Sequence, residues 1–268
     1  MPTVVRHLVQ ASHPGPSVAV TSLAVLLSMA NGNPTGRTLL LALAFLSGQL
    51  TIGWTNDLLD AARDAQVGRT DKPVAAGLLT PRTLQVSIVV VLAVCVVASL
   101  LCGPAAALAH LGLVVGSGWA YNLGLKRTWW SWLPYAVAFG ALPAVVTLAG
   151  QPSRVPPVWM IAVGALLGIG AHVVNTLPDL ADDEATGVLG MPHRLGERPA
   201  RLLAAVVLGG ASVVATLGPP GRVPLLAWGG LGLVGALAVV TVRGTGKRPF
   251  LAAVAIALVD VVVLVLRS

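Results

Sequence analysis

The chain has 268 residues, 56% of them hydrophobic and only 10% charged, which excludes a soluble globular domain: no water-soluble core of this size hides so much apolar side chain. Its net charge of +7 is not that of a nucleic-acid groove, because basic and aromatic residues are not interleaved along the chain. An integral membrane protein is expected instead, and nucleic acid is not expected as a partner.

Apolar runs of spanning length lie near 14–31, 38–55, 84–103, 105–121, 132–150, 157–176, 202–218, 223–242 and 249–267. They predict an all-α polytopic membrane protein with nine transmembrane helices, leaving residues 1–268 as one domain. The start, Met1 to His13, is short and weakly basic and carries no convincing cleavage site, so no cleavable signal peptide is expected. If the N-terminus is cytoplasmic, 13 of the 17 lysines and arginines fall on that side and only Arg37, Arg154, Arg222 and Arg267 on the other. Nine of the ten acids lie in the same cytoplasmic segments. Acids do not follow the topology rule, so their clustering asks for a chemical reason.

The first helix has no ionisable residue between His13 and Arg37, and Asn31-Gly32-Asn33-Pro34 reads as an external turn. The second ends in Asn56-Asp57-Leu58-Leu59-Asp60-Ala61-Ala62-Arg63-Asp64. At about 100° per residue, Asn56, Asp57, Asp60 and Asp64 share an arc of roughly 100°, with Gln49 on the same side. A solvated helix end is the plain alternative, but it usually carries basic partners, and only Arg63 intervenes here. Carboxylates this close repel unless a hard cation joins them. Arg69 and Lys72 follow in the next loop, either as ordinary cytoplasmic charges or as groups for an anion shared with that cation.

Cys95 and Cys102 in the third helix have no His or Asp at ligand spacing and read as packing thiols, and His110 in the fourth as an interior histidine. Trp119, Tyr121, Trp129, Trp130, Trp132, Tyr135 and Phe139 surround Lys126 and Arg127. Trp129 and Trp130 suit an interfacial belt; Tyr121 and Phe139, inside helices, suit a cavity wall whose π-faces stabilise a cation. The sixth helix repeats the acidic device with His172, Asn175, Asp179, Asp182 and Asp183 on one arc, and Pro178 should kink or end it. The placing of Asn56 and Asn175 just ahead of the two acidic sets hints at related halves. Asp260 is the one acid elsewhere, roughly 15 Å deep in the last helix. It should be protonated, paired or turned to a polar cavity, serving either helix packing or acceptor chemistry.

Oxygen ligands without cysteine or clustered histidine favour Mg2+, and a nucleotide would bring a Gly-rich phosphate loop that is absent, so the anion that fits is a diphosphate on a lipid tail. Asn56-Asp57-x-x-Asp60-x-x-x-Asp64 and Asp179-x-x-x-Asp183 together resemble the two aspartate motifs of the UbiA superfamily of intramembrane prenyltransferases, and the resemblance covers the whole chain. It implies a helical bundle around a central cavity open to membrane lipid, prenyl diphosphate bridged by two Mg2+ ions, and transfer of the prenyl group to a small lipophilic acceptor, aromatic or a quinone precursor. By that likeness Asp57, Asp60, Asp64, Asp179 and Asp183 hold metal, and Asn56, Arg69, Lys72, Tyr121, Lys126, Arg127 and Asn175 contact substrate. Tyr121 or Phe139 would stabilise the allylic cation, and His172 would either take the last proton or hydrogen-bond near the metals. A terpene cyclase of the same superfamily, acting without an acceptor, is the alternative. A transporter is disfavoured, since its carboxylates belong near the bilayer midplane. The expected setting is an inner or plasma membrane, with the N-terminus and metal site cytoplasmic.

Overall fold

The computed structural model describes residues 3–180, 183, 187–245 and 247–267, and every regular element among them is helical. Among the described residues, seven helical stretches are long and apolar enough to cross a membrane. They are α3 (Thr35–Gln66), α4 (Pro81–Leu101), α7 (Leu133–Leu148) with the 3-10 turn before it, α8 (Val158–Thr176), α10 (Glu197–Leu217), α11 (Leu225–Arg243) and α12 (Arg248–Arg267).

The two remaining apolar runs differ from the simple pattern. The first forms α2 (Pro14–Ala30), at 17 residues shorter than a full span. The run at 105–121 folds as α5 (Pro104–Leu108), a π-helical stretch (Ala109–Val115) and α6 (Gly116–Leu123). Pro104 can open α5 because the N–H it lacks would have no partner in a first turn, and Gly103, at φ 111°, turns the chain out of α4. The segment read as a plain terminus contains a further helix, α1 (Thr3–Ala11). It lies across the end of α3: Trp54 Nε1 donates to the Leu8 carbonyl at 2.8 Å, and Gln10 Nε2 to that of Asp71 at 3.0 Å.

Polar contacts mark the two ends of the bundle. One end joins α1, the close of α3 and the 67–80 loop; at the other, Arg37 Nη1 donates to Leu101 O at 2.6 Å and Asn33 Nδ2 to Val146 O at 3.3 Å. Between them the core is almost wholly aliphatic, with α7, α8, α10 and α12 contributing most. α7 and α8 approach each other closely, where Gly164 and Gly168 present backbone to backbone. A Cβ at Gly168 would stand 2.3 Å from the Tyr135 carbonyl oxygen, and one at Gly164 2.4 Å from that of Phe139. Small residues four apart allow that approach. It sets the Tyr135 and Phe139 side of α7 against the α8 turn that leads to His172.

Candidate functional site

α3 continues as helix to Gln66, so the aspartate stretch keeps its register, and Asp57, Asp60 and Asp64 are all buried (1%, 2% and 3% exposed). Such burial needs positive partners. Arg63 lies within the stretch and Lys72 in the loop after it, and the fold brings a third cation, Lys126, from far along the chain. Lys126, itself 5% exposed, donates to both Asp60 oxygens at 2.7 and 2.5 Å. Arg63 Nη2 lies 3.2 Å from both Asp60 Oδ2 and Asp64 Oδ1. Lys72 Nζ lies 3.7 Å from Asp57 Oδ1, and the Val74 N–H donates to Asp57 Oδ2 at 3.4 Å, folding the 67–80 loop over the helix end.

Asn56 orders the cluster from within: its Nδ2 donates to Asp60 Oδ2 at 3.0 Å and to Asn122 Oδ1 at 3.3 Å. Asn122 in turn donates to Ile52 O at 2.9 Å, tying α6 to α3. His13, between α1 and α2, stands 2.9 Å from Lys72 Nζ. Burial and the Lys72 charge push its imidazole down to about 4, so it is neutral and accepts from the lysine. Burial also lowers the Lys126 ammonium, against the pull of Asp60.

Of the second acidic motif, Asp183 lies within electrostatic range of Tyr121, as Asp60 of the first does. α8 ends at Thr176, and Pro178 sits in the 3-10 turn Leu177–Asp179 that follows, as the missing N–H demands. Asp183 lies 3.3 Å from His193 Nε2. The side chain of Asp179 and the residues Asp182 and Glu184 lie outside the described residues. An aromatic wall adjoins this end: Tyr121 meets Tyr135 edge-on at 5.3 Å and His172 at 5.8 Å, while Tyr135 stacks on Phe139 at 6.4 Å. Asn175 meets the Tyr135 hydroxyl.

Asn56, the three α3 aspartates, Lys72, Lys126 and Tyr121 are thus gathered, with His172 and Phe139 along the wall. Arg69 instead grips Asp71 with two 2.8 Å hydrogen bonds in the loop, holding that carboxyl at about 2. Arg127 is exposed. Asp260 is elsewhere: fully buried between α12 and α10, it is hydrogen-bonded to Ser212 Oγ. His13, Asn122 and Ser131 join the site without any sequence signal, since no local spacing marks them. Among the described residues no three acidic, His or Cys side chains form a closed metal cage. Two buried carboxylate oxygens nonetheless have no hydrogen-bond partner there, Asp57 Oδ1 and Asp64 Oδ2, and hard oxygen donors of that kind suit Mg2+.

Residues 17–258 match the UbiA prenyltransferase family, and the chain is a member of it, an integral membrane protein. It is 30% identical over 173 residues to the digeranylgeranylglyceryl phosphate synthase of Methanothrix thermoacetophila, covering 62% of this chain and 61% of that one. It is 29% identical over 180 residues to the bacteriochlorophyll synthase 33 kDa chain of Cereibacter sphaeroides, covering 63% and 59%. The match therefore spans about three fifths of each relative's length. In structure it resembles a UbiA homolog from Archaeoglobus fulgidus bound to GPP and Mg2+, with TM-score 0.70 and 14% identity over 96% of this chain and 99% of that chain. At that identity the likeness establishes the fold.

Proposed function

We propose that this chain transfers a prenyl group from an isoprenyl diphosphate, held through Mg2+, to a small lipophilic acceptor, aromatic or a quinone precursor. The observation that carries the reading is the buried carboxylate cluster of α3, matched by Lys72, Lys126 and Arg63 and opening on an aromatic wall. Asp57, Asp60 and Asp64, together with Asp179 and Asp183 of the second motif, would hold two Mg2+ ions. Bound there, the ions supply charge neutralisation of the diphosphate leaving group. Lys72, Lys126 and Arg63 would pass from carboxylate to phosphate oxygens, and Arg69 and Arg127 would join them from the loops. Asn56 orients Asp60, and Asn175 the Tyr135 hydroxyl.

The carbon–oxygen bond breaks with its electron pair on the diphosphate, leaving an allylic cation beside Tyr121 and Phe139, whose π-faces stabilise it and whose bulk excludes water. The acceptor's electron pair closes the new bond, and the acceptor then gives up a proton to the released diphosphate. The full architecture in this reading has nine membrane crossings around a central cavity, counting α2 and the α5–α6 stretch. It sits in an inner or plasma membrane with the N-terminus and metal end cytoplasmic.

The deciding experiment supplies geranyl, farnesyl and geranylgeranyl diphosphates with and without 4-hydroxybenzoate, 1,4-dihydroxy-2-naphthoate and geranylgeranylglyceryl phosphate. A prenylated acceptor supports the proposal. Cyclic hydrocarbon without acceptor identifies a terpene cyclase, and absence of diphosphate release rejects both enzymes. Two further outcomes are expected. A reporter fused after Arg248 reads cytoplasmic and one after Gly150 external, as 13 of 17 basic residues on one side require; inverted readings would move the metal end to the other face. Asp260→Asn leaves Mg2+-dependent diphosphate binding within about twofold by titration calorimetry, because Asp260 contacts Ser212 and not the carboxylate cluster. Lost binding in a folded Asp260→Asn protein would contradict that division of the molecule.

A further inference from the structure

Ser131 lies in the 3-10 turn Trp129–Trp132 and is fully buried. Its Oγ accepts the Met191 N–H at 2.8 Å and lies 2.9 Å from His172 Nε2. The approach is close enough that a Cβ at Gly190 would stand 2.8 Å from this oxygen. A hydroxyl has a single proton to give. Among the described residues, His172 Nε2 is the acceptor available to it. The opposite assignment, with Nε2 donating, strands a buried hydroxyl proton without an acceptor. Ser131 therefore donates, Nε2 accepts, and the neutral imidazole carries its own proton on Nδ1.

That Nδ1–H is itself without a partner among the described residues, although His172 is 1% exposed. Buried donors are seldom left so in folded proteins, and an orphan of this kind points to a missing ligand. The ring stands 5.0 Å from Tyr135 and 5.8 Å from Tyr121, centroid to centroid, in the aromatic wall where the new carbon bond would form. The cations that suit a diphosphate, Lys72, Lys126 and Arg63, are all committed to the carboxylate cluster. An uncharged donor amid aromatic rings suits an oxygen on the other substrate.

We propose that His172 donates its Nδ1–H to a hydroxyl, phenolate or carbonyl oxygen of the prenyl acceptor, and that Ser131 is the positioning residue that fixes the required tautomer. The inference rests on the prenyltransferase reading and deepens it. It gives His172 the role of holding the acceptor, and the acceptor's proton leaves by another route.

Two measurements test it. In detergent-solubilised protein labelled with 15N-histidine, the long-range proton–nitrogen spectrum should show His172 protonated at Nδ1 and accepting at Nε2. Ser131→Ala should mix the two tautomers. A protonated Nε2 in the wild-type protein overturns the inference even if the enzyme is active. The second measurement uses isosteres. The amide of His172→Asn falls near the Nδ1 position and can still donate, whereas that of His172→Gln falls near Nε2. With whichever panel acceptor the wild-type enzyme prenylates, the acceptor KM should stay within about threefold in His172→Asn and rise about tenfold or more in His172→Gln, the value of one hydrogen bond. Calorimetric affinity for Mg2+ and geranylgeranyl diphosphate should be unchanged in both. Equal KM losses, the reverse order, or weakened diphosphate binding alone would overturn it. If the Nδ1 tautomer is found but no acceptor or diphosphate is turned over, the prenyltransferase reading is what fails.

Discussion

Asp60→Ala is expected to reduce prenyl transfer by at least about 10³-fold, the loss of roughly 4 kcal/mol of stabilisation of the leaving diphosphate. Asp60 is the most connected of the three α3 carboxylates, touched by Lys126, Arg63 and Asn56. The same connections complicate the variant. Removing one partner of a buried pair leaves the other charge uncompensated, at about 3–5 kcal/mol, so Lys126 in Asp60→Ala threatens the fold as well as the chemistry. Asp60→Asn with Lys126→Gln removes both charges together and should restore stability without restoring turnover. Comparing detergent unfolding and product formation across the three proteins separates the effects. Substantial activity in a folded Asp60→Asn/Lys126→Gln protein would remove Asp60 from the chemistry.

Gly168→Val should be the most damaging change outside that cluster. Even its Cβ would sit 2.3 Å from the Tyr135 carbonyl oxygen and 2.7 Å from the carbonyl carbon, backbone atoms that cannot rotate aside. α7 and α8 must therefore separate, which costs about 3 kcal/mol or more and pulls the Tyr135 and Phe139 rings away from His172. Unfolding in mixed detergent micelles should show the loss, with little folded protein recovered. Gly209, where an added Cβ meets nothing within 4 Å, supplies the control: Gly209→Ala should be neutral or mildly stabilising. A stable Gly168→Val protein would mean that the α7–α8 contact is not tightly set.

The features legible in the sequence are those written locally. Asn56, Asp57, Asp60 and Asp64 share a face because helical register depends only on spacing, and α3 keeps that register to Gln66. The break after Thr176 was equally local, since Pro178 cannot donate within a helix. Lys72 and Lys126 were expected at the anion site, but which acid each would meet was not legible. Lys126 is 66 residues from Asp60, and Lys72 also meets His13, 59 residues away, and pairings at such separations are set by tertiary packing. The α3 acids therefore look short of basic partners in the sequence and are well supplied in the fold. The π-helical stretch at Ala109–Val115 was likewise hidden. Its apolar residues read as an unbroken run, yet His110 within it hydrogen-bonds Ser99 at 2.8 Å and packs on Phe45 at 4.6 Å. Ser131 carried no signal, because a lone serine among tryptophans has no periodic pattern to break. Its two bonds join its own turn to α8 and to the short helix α9 (Met191–Leu195), elements that meet only in three dimensions.

Titration calorimetry of geranylgeranyl diphosphate into the wild-type protein, first in Mg2+ and then in excess chelator, bears most directly on the central claim that the α3 carboxylates hold a diphosphate through metal. The expected result is saturable binding in Mg2+ that disappears in chelator and is absent in the folded Asp60→Asn/Lys126→Gln protein. Equal affinity with and without Mg2+ would contradict it, for the diphosphate would then be held by Lys72, Lys126 and Arg63 alone.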